Sequence, residues 1–391
     1  MERLCTMNSD ARLILEDGTV FKGKGFGSNV EVIGEVVFNT SMTGYQEMLT
    51  DPSYAGQILI PTYPLIGNYG INKMDVESNK VQVSGFVVRN HCENPSHPLS
   101  EMTIDQYLFD NKIPGISGID TRSLAKKIRS SGVMMGLITF EDDIDLSILK
   151  LKTSKKYEET DSVSNITTDG MYKWENDNFE KSKSFVDMYS RSKKTNSENK
   201  IPNILIVDFG IKYNIPRSIR ARGCDVKIVP PFGSYSEILD LNPDGIILSP
   251  GPGDPKLLDK ITREIRKIVG IVPIMGICLG HQIIARSMGA RTFKLHYGHR
   301  GGNQPVKDLF SGNIYVTAQN HGYAVDKNHL PKDFEISHIN LNDDIVEGLV
   351  NEKLNIMTIQ YHSEASPGPH DSEYLFDRFL SMVTNEMGKK L

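Results

Sequence analysis

VPIMGICLGHQIIARSMG, residues 272–289, decides how this chain is read. Its first part is a short continuous apolar run, the pattern of a parallel strand buried on both faces. Its last part, QIIARSMG, has the spacing of a helix. Between them, Gly276-Ile277-Cys278-Leu279-Gly280 has the form glycine, any residue, nucleophile, any residue, glycine. Small residues two positions either side allow a sharp, strained turn that lifts the nucleophile above the sheet edge. Cysteine suits that position, because the free N–H groups and positive dipole end of a helix N-terminus favour a thiolate. The N–H of Leu279, next in the chain, is placed to donate to an oxyanion.

Working outward, residues 201–391 alternate strand and helix. NILIVDFG (203–210), VKIVPP (226–231) and DGIILSPG (244–251) read as further buried strands. NIPRSIRARG and LLDKITREIRKIVG read as helices between them. Such alternation predicts an open, mostly parallel, doubly wound α/β sheet with its site at the carboxyl ends of the strands. Two segments supply partners for the thiol. In NIMTIQYHSEASPGP (355–369) the run IMTIQY predicts a strand with His362 at its end. Glu364, two residues on, shares a face with His362 if the backbone stays extended. A carboxylate there orients the imidazole of a nucleophile–base–acid triad. LSPGPGDP (248–255) follows a strand and puts Gly251 and Gly253 where backbone approaches a ligand closely, with the Gly251 N–H as a second oxyanion donor.

The front part differs. ARLILEDGTVFKGKGFG (11–27) predicts two strands about the turn Asp17-Gly18, and VQVSGFVVRN (81–90) another strand. TRSLAKKIRSSG (121–132) predicts a helix with Leu124, Ala125 and Ile128 on one face and Gly132 as its stop. These features make an α+β domain over 1–153 with no catalytic constellation. Residues 154–200 are a polar junction: SKSFVDMYSRSKKTNSENK (182–200) is rich in Ser, Lys and Asn, as an exposed linker is. The aromatics of ITTDGMYKWEND (166–177) are expected to pack across the junction. Residues 201–391 form the second domain. The 391 residues fit two domains at roughly 150 residues each.

Composition narrows the function. A net charge of −5 gives no electrostatic case for nucleic acid or an anionic membrane surface. No apolar run approaches the roughly 20 residues of a membrane span. The start, MERLCTMNSDARLILEDG, has no long apolar stretch of the signal-peptide kind, and Met7 is an alternative first residue. Cys5, Cys92, Cys224 and Cys278 form no CxxC pair, so no metal is expected, and unpaired cysteines fit a reducing, cytoplasmic location.

PGPGDP, GICLGHQ and YHSEASPG together resemble the triad-type glutamine amidotransferase family. The resemblance implies hydrolysis of glutamine to glutamate and ammonia. Cys278 would form a γ-glutamyl thioester, His362 would be its base, and Glu364 would orient His362. Gln282 and the backbone at Leu279 would meet the substrate's amino-acid end. Over almost the whole chain, NTSMTGYQEMLTDPSYAGQI (39–58), YPLIGNYGIN (63–72), GIDTRSLAKKIRSSGVMMG (118–136), YGHRGGNQPV (297–306) and TAQNHGYAVD (317–326) resemble the small-subunit family of carbamoyl-phosphate synthases. By that match Ser53, Asn320, Gly322 and Tyr323 line the glutamine pocket with Gly251 and Gly253. Three positions depart from the family pattern: Ser363 where proline is usual, Pro250 where asparagine is common, and Tyr323 where phenylalanine is frequent.

The family makes carbamoyl phosphate, for arginine or pyrimidine synthesis, from glutamine, bicarbonate and ATP. This chain has no P-loop, so it is expected to need no cofactor of its own, with ATP and Mg on a large-subunit partner that receives ammonia through the protein interior. The front domain would serve that interface. Two other readings remain at this level: a glutaminase serving anthranilate, GMP or CTP synthesis, and a non-enzymatic regulatory subunit. The front-domain motifs weigh against the first, and the intact cysteine, histidine and glutamate against the second.

Overall fold

A computed structural model describes residues 9–175, 200–231 and 233–390, so Met7 and most of the 182–200 segment lie outside the described residues. The front half closes on itself. Strands β1 (Asp10–Leu15), β2 (Val20–Gly27), β3 (Val32–Asn39), β4 (Gln57–Pro61), β6 (Gly85–Val87), β8 (Pro114–Ser117) and β9 (Met134–Thr139) form a barrel in the order β1-β2-β8-β6-β4-β3-β9. Closure leaves no sheet edge to aggregate. Two short strands, β5 (Leu65–Ile66) and β7 (Asn90–His91), pair outside it. The turn at Asp17-Gly18 and the helix Thr121–Ser131 lie where the sequence puts them, with Gly132 as the helix's last cap. VQVSGFVVRN, read as one strand, is strand at β6 and again at Asn90, where β7 begins; Ser84 and Gly85 pair with β4 while the residues before them turn toward the helix Tyr45–Thr50.

β3 and β4 run parallel, so a crossover must join them. That crossover carries the helix Tyr45–Thr50 and the single turn Pro52–Tyr54, and it faces the second half of the molecule. Residues 39–58 thus serve the site rather than the barrel alone.

The second half is one ten-stranded sheet. Its strands are β10 (Tyr172–Lys173), β11 (Asn203–Val207), β12 (Asp225–Val229), β13 (Gly245–Leu248), β14 (Ile274–Ile277), β15 (Thr292–Asp308), β16 (Ile314–Val325), β17 (Glu335–Asn340), β18 (Val346–Asn351) and β19 (Ile356–Ile359), in the order β10-β12-β11-β13-β14-β19-β18-β17-β15-β16. The strands β12 to β19 of that order pair in parallel, and β18, β17, β15 and β16 extend them antiparallel. Alternate residues of β11 feed opposite cores: Leu205 and Val207 pack on one face, Ile204 and Ile206 on the other. This is why the strand sequence is apolar without alternation.

The junction is more ordered than a polar composition suggests. Tyr157 is buried against Met135 and Leu137 of the barrel and Leu151 of the helix Ile144–Thr153. Trp174 is buried in the second half's core, its ring tilted 59° to that of Tyr213 at 5.0 Å, and β10 becomes the edge strand of its sheet. Among the described residues, no helix is long and apolar enough to cross a membrane.

Candidate active site

Three adjacent parallel strands end at the site. β13 delivers Ser249–Gly253, β14 delivers Cys278, and β19 leads to His362. Cys278 caps the helix Leu279–Ser287 with φ 54° and ψ −106°, a region non-glycine residues avoid. Such a conformation costs about 1–3 kcal/mol and persists only where the surroundings impose it. The flanking glycines are part of what imposes it. A Cβ on Gly276 would lie 2.7 Å from the Gly280 carbonyl oxygen, and one on Gly280 would lie 2.2 Å from that of Leu248. The Cys278 thiol is 2 % exposed and points toward the Asn320 carbonyl oxygen at 3.7 Å. Neither the Leu279 nor the Gly251 N–H meets an acceptor among the described residues, so both are available to an oxyanion.

His362 and Glu364 meet, but not by strand alternation. β19 ends at Ile359; His362 sits in a bridge to Ala318 of β16, and residues 362–365 form a turn closed by the Ala365 N–H on the His362 carbonyl at 3.1 Å. The turn folds Glu364 back, and His362 Nδ1 lies 2.6 Å from Glu364 Oε1. Extended backbone is therefore the wrong reason for a pairing that the turn achieves. Ser363, inside that turn, is fully buried with a hydroxyl that has no partner.

A residue that the sequence does not single out completes the set. Lys212 is 2 % exposed, with Nζ 3.3 Å from Glu364 Oε1 and donating to the Ala365 carbonyl at 2.5 Å. Burial pushes the Glu364 carboxyl up, but Lys212 and then His362 outweigh it and hold the group down at about 2. Burial likewise opposes charge on His362, yet Glu364 and a hydrogen bond with the Cys278 thiol lift it to about 10. His362 Nε2 has no hydrogen-bond partner of good geometry among the described residues. The imidazole is thus oriented from behind and stabilised in its charged form once it takes up a proton, with its other nitrogen left for the thiol.

In front of Cys278 lies a small cavity of about 20 Å³, lined by Ser53, Gly251, Gly253, Gln282, Asn320, Gly322 and Tyr323 among others. Leu279 is not on its wall. The Ser53 and Tyr323 hydroxyls are buried without partners among the described residues. Ser53 reaches the cavity because Asp51 caps its N–H at 2.9 Å and accepts from Asn320 Nδ2 at 2.9 Å, which latches the front crossover to β16. The Asn320 amide is therefore committed to that latch. Gln282 donates to the Tyr323 carbonyl at 2.7 Å and to Gln360 Oε1 at 2.9 Å, so its NH2 group fixes the wall. Glu35, Gln57, Tyr157 and Arg300 also line the cavity; Gln57 and Arg300 lie in stretches that carry the family resemblance, but the sequence alone assigns none of the four a role.

A family model described as carbamoyl-phosphate synthase small chain, CPSase domain, matches residues 13–138, and one for class-I glutamine amidotransferases matches residues 205–382. The carbamoyl phosphate synthase small chain of Clostridium perfringens is 48% identical over 95% of this chain and 98% of its own. That of Syntrophotalea carbinolica is 46% identical over 95% and 97%. The chain belongs to the carbamoyl phosphate synthase small-chain family. A chloroplastic small chain of rice is 43% identical over 96% of this chain and 83% of its own. A solved glutamine amidotransferase of Thermotoga maritima is 16% identical, with a TM-score of 0.35 over 49% of this chain and 86% of its own.

Within this small-chain family member, one histidine cluster lies beside the cavity. His299, His321 and Glu347 bring ligand-type atoms within 4.8 Å of one another. His299 sits 2.7 Å from Asp343 and 3.6 Å from Glu347, and despite burial those carboxylates raise it to about 9. His321 is held well below its ordinary value, first by burial and then by His299. Both His321 nitrogens and the Glu347 oxygens are already hydrogen-bonded, so the cluster reads as a buried polar network bracing β15, β16 and β18 rather than a metal centre.

Proposed function

We propose that this chain is the glutamine-hydrolysing subunit of a carbamoyl phosphate synthase, and that Cys278, His362 and Glu364 are its catalytic residues. One observation carries the reading: a buried thiol on a strained elbow faces a cavity of unpartnered hydroxyls, while a charge-stabilised histidine stands with a free nitrogen behind it. The thiol's proton goes to His362, and the sulfur attacks the γ-carbonyl carbon of glutamine. The Leu279 and Gly251 N–H groups receive the oxyanion. Its collapse breaks the C–N bond, and ammonia leaves with a proton from His362. Water then attacks the thioester with His362 as base, releasing glutamate and restoring the thiol.

The chain offers a way out for the ammonia. A second cavity shares Asn320 with the first and has His362 and Lys212 on its wall, and a third of about 100 Å³ is lined by front-domain residues. Ser41 and Met48 line both, and Met42 at the outer one is 72% exposed. An interior route matters because ammonia protonates in water and stops being a nucleophile. The receiving partner is a large subunit that binds ATP and Mg, bound through the front domain. The cytoplasm is the compartment that the unpaired cysteines fit.

The test is glutamate release from glutamine by the purified chain with its large subunit, wild type beside Cys278→Ser. Loss of at least about a thousandfold is expected, as for removal of a nucleophile from a catalytic triad. Equal activity in the two proteins overturns the assignment.

A further inference from the structure

Arg300 is the only buried arginine among the described residues, 5% exposed, and no carboxylate lies within ion-pair distance of it. The other well-shielded arginines have acids: Arg217 has Glu77 and Arg286 has Asp259. A guanidinium stays charged in a protein, and burying it without a counter-ion is costly. Among the described residues its side chain makes one hydrogen bond, from Nη1 to the Tyr297 carbonyl at 2.8 Å, and its Nε has no partner. The guanidinium forms part of the wall of the cavity that holds Cys278 and Gly322.

The chain is shaped around this group. Gly298 has φ 71°, and a Cβ there would lie 2.3 Å from Arg300 Nη1. A Cβ on Gly322 would lie 3.3 Å from Nη2. Two glycines on neighbouring strands thus leave a slot that the guanidinium fills. The one acid on the same cavity wall, Glu35, is already occupied by Lys294 at 2.8 Å and by Gln57 at 2.9 Å. The Ser53 and Tyr323 hydroxyls also face the cavity without acceptors, and the Tyr157 hydroxyl receives the Gly253 N–H at 3.1 Å while its own proton has no acceptor among the described residues. The cavity wall therefore carries a guanidinium with no ion-paired carboxylate among the described residues and a surplus of donors, which suits an anionic ligand with several acceptor oxygens.

We infer that Arg300 is the counter-ion for the α-carboxylate of the amide substrate, and so sets the site's preference for a free amino acid over neutral amides. The inference rests on the glutaminase reading and deepens it: Cys278 reads the γ-amide, Arg300 the far end. Arg300 touches substrate but no reacting atom, so it acts on binding rather than on the chemical step.

The experiment compares L-glutamine with L-glutamine α-amide, in which a neutral amide replaces the carboxylate, on the complex with the large subunit. In the wild type, kcat/KM is expected to favour glutamine by about 100-fold, the worth of a buried charge-assisted contact. In Arg300→Gln the KM for glutamine rises about 10- to 100-fold, kcat at saturation changes by less than about threefold, and the preference collapses toward one. Arg300→Lys keeps the charge and retains part of the preference, which separates recognition from folding. A wild type that does not discriminate, or an Arg300→Gln enzyme that keeps both KM and preference, overturns the inference. If Arg300→Gln does not fold, the wild-type ratio and Arg300→Lys decide by the same criteria. A wild type that releases no glutamate from glutamine fails differently, since it removes the glutaminase reading itself.

Discussion

Glu364 is fully buried, yet both of its charged neighbours, His362 and Lys212, face one oxygen, Oε1; the other has no partner. The pair of cations is what keeps this carboxylate ionised. Lys212→Met removes one cation and leaves a buried charge under-compensated, so a loss of about 3–5 kcal/mol in stability is expected by chemical denaturation. A variant as stable as the wild type would show that Lys212 does not hold Glu364. The pH dependence follows from the two shifts. His362 is raised, so its contribution is complete below about 6.5 and is lost as pH rises through about 10. Glu364 is depressed, so its contribution is complete above 4.5 and is lost as pH falls through about 2. Wild-type unfolding free energy should therefore decline on the alkaline side, and Glu364→Gln should flatten that decline. Parallel pH profiles for the two proteins would contradict the coupling. The same substitution leaves His362 without its orienting charge and should lower glutaminase kcat by about 10²- to 10⁴-fold.

Among elements, the elbow from β14 into the helix Leu279–Ser287 is the least forgiving. Gly280 lies against the Leu248 carbonyl of β13, and backbone cannot yield as a side-chain tip would. Gly280→Ala should cost about 1–3 kcal/mol in stability, read as a lower melting temperature, and should reduce activity further by tilting the helix that carries the Leu279 N–H. An unchanged melting temperature with full activity would mean that the elbow relaxes freely. The end of β19 behaves in the opposite way. There a turn replaces extended backbone, and its position is fixed by the bridge from His362 to Ala318 of β16 rather than by the strand itself.

At the scale of the whole molecule, the site belongs to both halves. The front crossover supplies Ser53, Asp51, Ser41 and Met48; the sheet supplies Cys278, His362 and the cavity walls. The two cavities that share Ser41 and Met48 lie where the proposed ammonia route would run from the thiol toward the front domain. Ser41→Phe fills that route. In the complex, glutamine-dependent carbamoyl phosphate synthesis should fall about tenfold, while glutamate release and ammonia-dependent synthesis fall far less. Equal loss of all three activities would place Ser41 in the fold and not on a path.

What the sequence determined alone was local in origin. A G-x-C-x-G between an apolar run and a helix, a histidine after a strand, and glycines after another strand each state their chemistry within a few residues, because backbone strain and strand burial are short-range effects. The paired strands about Asp17-Gly18 and the helix stopped by Gly132 were legible for the same reason. Only the tertiary structure decided that the front strands close into a barrel, that a turn and not a strand joins His362 to Glu364, and that the α/β sheet extends through an antiparallel half. It alone found Lys212, whose partner carbonyl lies 153 residues away, and Arg300, which is ordinary in sequence and distinctive only as a buried charge with no ion-paired carboxylate among the described residues. Electrostatic pairing and its absence depend on distances that chain spacing does not encode.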